Sequence, residues 1–221
     1  LRTFYIDKKG YIWFGTIDGI YIFDPTDGKL SHYKHSRTDP FSLPNNSIWE
    51  ISEDRQSNVW IGTYSGTLCY VNIDENNAFK TYHPQNSGLN HTPVSAFAED
   101  QQYLWVGTEG GGINRMNKAT GEFSYITSAN SITSNNIKSL ITDAGHNLWI
   151  STFMGGLDLY NVGRQKVTNF KHTKGAPHSL LVNDVRKTIL EGDSGMWVAY
   201  QYQKAEVSYF SFREESFTHF S

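Results

Sequence analysis

Five times in 221 residues the chain repeats one short phrase: an acidic residue, a turn, a tryptophan and an apolar or aromatic residue, closed in three copies by Gly-Thr. The copies run from Asp7 to Thr16, Asp54 to Thr63, Asp100 to Thr108, Asp143 to Thr152 and, most altered, Glu191 to Tyr200. Their tryptophans, Trp13, Trp60, Trp105, Trp149 and Trp197, follow one another at intervals of 44 to 48 residues. A period in the forties filled with short strands specifies a β-propeller array. One such unit cannot bury both of its faces, so it must stack on its neighbours.

The second copy reads most clearly as four strands. Residues 48–53 form a first strand, and Asp54 to Asn58 a tight turn in which Asp bonds its own downstream backbone. Residues 59–63, 68–73 and 78–82 supply the second, third and fourth strands, alternating apolar and polar. Later copies keep this order, with turns at 118–121 and 162–165 between third and fourth strands. The expected fold class is all-β: a β-propeller of four-stranded antiparallel blades, with five blades at about 1–35, 46–83, 93–127, 136–171 and 183–221. Each tryptophan is expected to pack between neighbouring sheets. The glycine after it removes a side chain where another backbone comes close.

Composition agrees and adds limits. Charged residues are 19% of the chain, below the ~25% usual in globular proteins, and aromatics reach 14%, which suits half-buried strands. A net charge of −3 gives no reason to expect nucleic acid or a membrane surface. The single cysteine, Cys69, has no internal partner and is expected as a buried structural thiol. No apolar run reaches the ~18 residues that would cross a bilayer. The chain opens at Leu1, directly in a strand, as expected of a piece of a longer protein.

The long connections carry their own echo: Ser42-Leu43-Pro44-Asn45-Asn46, Ser131 to Asn136 and Ser179 to Asp184. Together with the Asp turn, Trp-Ile-Gly-Thr and Gly-Gly-Leu, they make the chain resemble the two-component regulator propeller repeat over essentially its whole length. The resemblance implies a seven-bladed or tandem propeller of which this chain is part. It further implies the periplasmic sensor region of a bacterial hybrid two-component histidine kinase, the ectodomain of an inner-membrane protein. Such a region recognises oligosaccharides from complex glycans and signals to a kinase elsewhere in the protein. The implied partners are an oligosaccharide, the remaining blades, a downstream sensor domain and a possible second copy.

Positions that vary within a repeating frame are free to serve function. The residue five before the turn acid opens each inner strand and reads Arg2, Trp49, Ser95, Lys138 and Arg186. Cations there suit a carboxylate or sulfate, and an indole stacks on a pyranose face. A second variable set follows Gly-Thr: Ile17-Asp18, Tyr64-Ser65, Glu109-Gly110, Phe153-Met154 and Gln201-Tyr202. Tyr64 and Phe153 offer sugar platforms, and Glu109 an acceptor for hydroxyl hydrogens. The candidate ligand residues are Arg2, Trp49, Tyr64, Glu109, Lys138, Phe153 and Arg186, and the plain alternative for each is solvated decoration.

The chemistry of an enzyme is missing from the pattern. The eight histidines show no zinc spacing, Glu109-Gly110-Gly111-Gly112 lacks the lysine of a phosphate loop, and no nucleophile elbow occurs. The repeated acids are accounted for by their turns. No catalytic residue, metal or cofactor is expected. A propeller lyase would use an unrepeated group such as His91 or His178, and a protein-docking scaffold would use neither sugar nor catalysis.

Overall fold

The computed structural model describes residues 1–65, 68–72, 78–201 and 207–220, apart from the side chains of Pro84 and Asn86. Strands β1 (Thr3–Ile6), β2 (Ile12–Gly15), β3 (Ile20–Asp24) and β4 (Lys29–Tyr33) form the first sheet. The second holds β5 (Ile48–Glu53), β6 (Val59–Thr63), β7 (Leu68–Val71) and β8 (Lys80–Tyr82). After one helical turn, α1 (Pro84–Ser87), come β9 (Val94–Glu99), β10 (Tyr103–Thr108), β11 (Gly112–Asn117) and β12 (Phe123–Ile126). The fourth sheet is β13 (Ile137–Thr142), β14 (Leu148–Thr152), β15 (Gly156–Asn161) and β16 (Lys166–Phe170). The fifth is β17 (Val185–Glu191), β18 (Gly195–Tyr200), β19 (Val207–Ser211) and β20 (Ser216–Phe220). Every sheet keeps its strands in chain order, which is the blade topology the repeat predicts. The third expected strand of the second copy ends at Val71, with Ile73 outside the described residues. The fourth begins at Lys80 instead of Ala78, because the Phe79 N–H is drawn to the Phe41 carbonyl.

The turn acid does more than shape its turn. One oxygen of Asp54 accepts the N–H groups of Gln56 and Asn58, and the other accepts the Trp60 indole N–H at 2.7 Å. Asp7–Trp13, Asp100–Trp105 and Asp143–Trp149 repeat the bond at 2.8 to 3.0 Å. A buried indole N–H needs such a partner. A carboxylate acceptor makes the bond stronger than a neutral one. The glycine after tryptophan is set by close approach: a Cβ on Gly62 would lie 2.7 Å from the Val94 carbonyl oxygen.

The chain divides into two compact units, Leu1–Phe97 and Ala98–Ser221. In the first, Trp13, Ile20, Leu43, Ile48, Ile61 and Cys69 share one core, and burial pushes the Cys69 thiol up. In the second, Trp149, Leu157, Leu180, Val198, Phe210 and Phe217 form another. Trp13, Trp60, Trp105 and Trp149 are at most 4% exposed, as expected. Trp197 departs from the expected core packing, at 37% exposed. It lies on an open face of the fifth sheet, with Ile189 and Phe220 exposed beside it, and Glu191 makes no indole bond to it among the described residues.

Candidate functional site

Three of the candidate residues share one backbone device. In β5 the pairing register slips between Ile48 and Glu50, in β13 between Ile137 and Ser139, and in β17 between Val185 and Lys187. The residues in the gaps are Trp49, Lys138 and Arg186. Each is thus the extra residue of a β-bulge, a device that turns a side chain away from the pleat and ends regular pairing. A second link recurs beside it. The residue after the closing Thr, or after Tyr200 in the fifth sheet, donates its N–H to the residue before the first strand. These bonds are Tyr64 to Ser47, Phe153 to Asn136 and Gln201 to Asp184, at 2.9 to 3.1 Å. The two variable sets read from the sequence are therefore brought side by side within each of these sheets.

In the first unit the result is an aromatic patch. The rings of Trp49 and Tyr64 lie 5.1 Å apart, and the Arg2 guanidinium sits 5.8 Å over the indole. Tyr64 is exposed, Trp49 half-buried, and the indole N–H of Trp49 is buried without a hydrogen-bond partner. A flat apolar surface with one unsatisfied donor at its edge is suited to a pyranose face and a hydroxyl oxygen.

In the second unit the result is a balanced charge cluster. The Lys138 ammonium donates to Glu109 and lies 5.4 Å over the Phe153 ring. Asp184 feels both Lys138 and Arg186; burial raises its carboxyl above the usual range, and the two cations pull it back. Asp184 Oδ1 and Gln201 Oε1 are buried and hold no hydrogen bond, so a donor brought to them would relieve two orphaned acceptors. Of the cations read from the sequence as free for an anion, Lys138 already pairs with Glu109 and Arg186 acts on Asp184, while Arg2 lies over the Trp49 indole. Asp184 was not among the expected residues. Its signal is internal comparison, because Ser47 and Asn136 stand at its position in other copies.

The remaining candidates are placed differently. Ser95 is buried in β9, Asp18 is engaged by Lys34 at 2.8 Å, and Tyr202 lies outside the described residues. His91 is exposed in the connection 83–93, and His178 points Nδ1 at the Phe217 carbonyl at 3.3 Å. No group of three metal-ligating side chains occurs among the described residues. No described helix is long and apolar enough to cross a membrane.

Four-stranded sheets in chain order, each with its Trp strand second, define a chain of β-propeller blades. The family model described as "Two component regulator propeller" matches residues 42–65 and 88–110. Both matches run from a long connection through a first strand to the Trp strand. The chain is 28% identical over 176 residues to "Histidine kinase P4" of Formosa agariphila, a match covering 76% of this chain and 13% of that protein. It therefore spans only a small part of that relative's length. Among solved structures it is similar to the extracellular domain of a putative hybrid two component system from B. thetaiotaomicron. That likeness has a TM-score of 0.80 and 19% identity, over 96% of this chain and 27% of the other. A second such domain from the same organism gives 0.80 and 24%, over 100% and 30%. These likenesses show the fold.

Proposed function

We propose that the chain is a ligand-sensing part of the periplasmic propeller region of a hybrid two-component sensor, an ectodomain held at the inner membrane. It binds a neutral oligosaccharide released from a complex glycan, performs no catalysis itself, and passes the signal to a kinase elsewhere in a longer protein. The repeat matches, the relative named as a histidine kinase and the similar extracellular domain of a putative hybrid two component system support the signalling half of this reading. The observation that carries the ligand half is the set of bulges that present Trp49, Lys138 and Arg186 beside Tyr64, Phe153 and Gln201. Charge decides the class of sugar. In the second unit Lys138 pairs with Glu109 and Arg186 acts on Asp184, so that cluster has no net cation to attract sulfate, and in the first unit Arg2 lies over the Trp49 indole. Binding produces a signal only through different affinity for two states of the sensor.

Calorimetric titration against neutral, acidic and sulfated oligosaccharides, with product analysis of each mixture, tests the reading. The expected result is saturable binding of a neutral sugar recovered intact, weakened roughly tenfold or more by Trp49→Ala. Preference for sulfated sugars would return Lys138 and Arg186 to the role of ligand cations. A cleaved sugar would make the chain an enzyme.

A further inference from the structure

Across the third and fourth strands of every sheet, one polar or aromatic pair changes while its register stays fixed. It is Tyr21–His32, Cys69–Thr81, Asn114–Tyr125, Asp158–Asn169 and Ser208–His219 in turn. The fifth sheet has made a further change. Where Thr16, Thr108 and Thr152 donate to a glycine carbonyl, it has Tyr200. The Tyr200 hydroxyl donates to Ser208 Oγ at 2.8 Å, and Ser208 Oγ lies 2.7 Å from His219 Nδ1. The Leu181 N–H, on the preceding connection, approaches the Tyr200 oxygen at 3.4 Å. Ser208 is fully buried, so its own hydrogen is satisfied by pointing at His219 Nδ1. That fixes His219 as the Nε2–H tautomer, a donor.

His219 lines a cavity of about 350 Å³ with His172, Ala176, Pro177, Leu180 and Leu181. The cavity is held open by its own loop. The Asn183 side chain accepts the His172 N–H at 2.7 Å, Ser179 Oγ accepts the Thr173 N–H at 3.0 Å, and Leu180 is buried as an anchor. His172 Nδ1 lies 2.8 Å from the Leu180 carbonyl, which can only accept, so His172 carries its hydrogen on Nδ1 and Nε2 is an acceptor. The same loop occurs in the first unit, where His35, Ser42 and Asn46 make the equivalent bonds. The cavity beside it, of about 430 Å³, has Thr81 in place of His219 and is lined by Arg37 and Asp39. The repeat therefore builds the cavity in both units, with His35 and His83 lining the first and His172 and His219 the second; in the second, His219 comes from the fourth strand of the sheet and is held by Ser208.

We propose that this cavity is a second binding site, for a neutral hydroxyl-bearing molecule of about one sugar ring in size. The His219 Nε2–H donates to it, His172 Nε2 accepts from it, and the apolar floor of Ala176, Pro177 and Leu181 takes its less polar face. A divalent metal would need a lone pair on both Nε2 atoms, and so the opposite His219 tautomer to the one that Ser208 sets by donating to Nδ1. The site is on the β20 edge of the sheet, opposite the β17 edge that carries Arg186, and does not rest on sugar binding there.

The test is a long-range proton–nitrogen NMR spectrum of the histidine rings during titration with methyl β-D-glucopyranoside. Before sugar, His172 is expected as the Nδ1–H and His219 as the Nε2–H tautomer; with sugar, both rings shift saturably. His219→Gln is expected to weaken binding roughly tenfold. Tyr200→Phe, which removes the O–H that orients Ser208 and the oxygen that the Leu181 N–H approaches, is expected to mix the His219 tautomers and weaken binding severalfold. The proposal fails if both rings show one tautomer, if no saturable shift occurs, or if inorganic sulfate or Zn²⁺ shifts the rings in place of the sugar. Because the signals belong to two assigned rings, the result is separate from any binding at the first-strand bulges.

Discussion

Trp149 and Trp197 occupy the same position in consecutive sheets of the second unit, paired to Ile141 and Ile189 on their first strands. Trp149 is sealed at 3% exposure, packed on Phe170, Phe210 and Phe212 with ring centroids 5.5 to 5.7 Å away. Its indole N–H is tied to Asp143. Trp197 is open, touches Tyr209 and Phe220 on its own sheet, and lacks the tether. The fifth sheet has lost the tether, and in the same stretch has gained the chain from Tyr200 to His219. Divergence of this repeat thus shows in its polar chemistry, a lost indole tether and a new hydrogen-bonded chain.

Replacing each tryptophan by alanine puts the first half of that comparison at risk. Trp149→Ala is expected to cost about 3–5 kcal/mol, since it empties an aromatic cluster that cannot collapse. Trp197→Ala is expected to cost about 1 kcal/mol. Urea unfolding midpoints at unchanged slope measure both. Equal losses would mean that Trp197 is covered in solution.

The tether separates next. Asp143→Ala removes the acceptor of the Asn147 N–H at 2.8 Å and of the Trp149 indole at 3.0 Å. Leaving those donors buried costs about 1–3 kcal/mol. Glu191→Ala is expected within about 0.5 kcal/mol of the parent. A large loss at Glu191 would show that its side chain supports the turn in a way its exposed position does not suggest.

The repeat, the strand order and the buried tryptophans of four sheets were legible because they follow from period, alternation and turn chemistry, all local. The second bond of each turn acid was less so: sequence places Asp six residues before Trp13 but does not show which oxygen reaches the indole. The bulges left a trace. Buried Ile48 and Ile51, and Val185 and Thr188, stand three apart where an unbroken strand would keep a period of two. Trp49 and Arg186 lie inside those gaps. The pairing of Lys138 with Glu109, 29 residues away, left none, because spacing along a chain does not give distance across a sheet. That pairing turned the expectation of an acidic ligand toward a neutral one.

The smallest expected effect compares Asp158 with Ser208, which sit at one register position in the fourth and fifth sheets. Asp158 is buried and accepts from Thr133 N, Thr133 Oγ1 and Asn169 Nδ2 at 2.6 to 2.9 Å. Burial raises its carboxyl above the usual carboxylate range, and the Thr133 and Asn169 bonds offset part of that rise. The folded chain therefore keeps the proton at a pH where the unfolded chain has released it. The resulting stability is fully present below the ordinary aspartate range and is lost as pH rises through the raised value of the folded chain. Asp158→Asn removes the titration while leaving an amide to accept from Thr133. The difference in unfolding midpoint between parent and Asp158→Asn should thus shift in the parent's favour as pH falls through that window. Ser208→Ala should show no such trend from a carboxyl. A parent that loses to Asp158→Asn as pH falls would mean that hydrogen bonding, rather than burial, sets the Asp158 carboxyl.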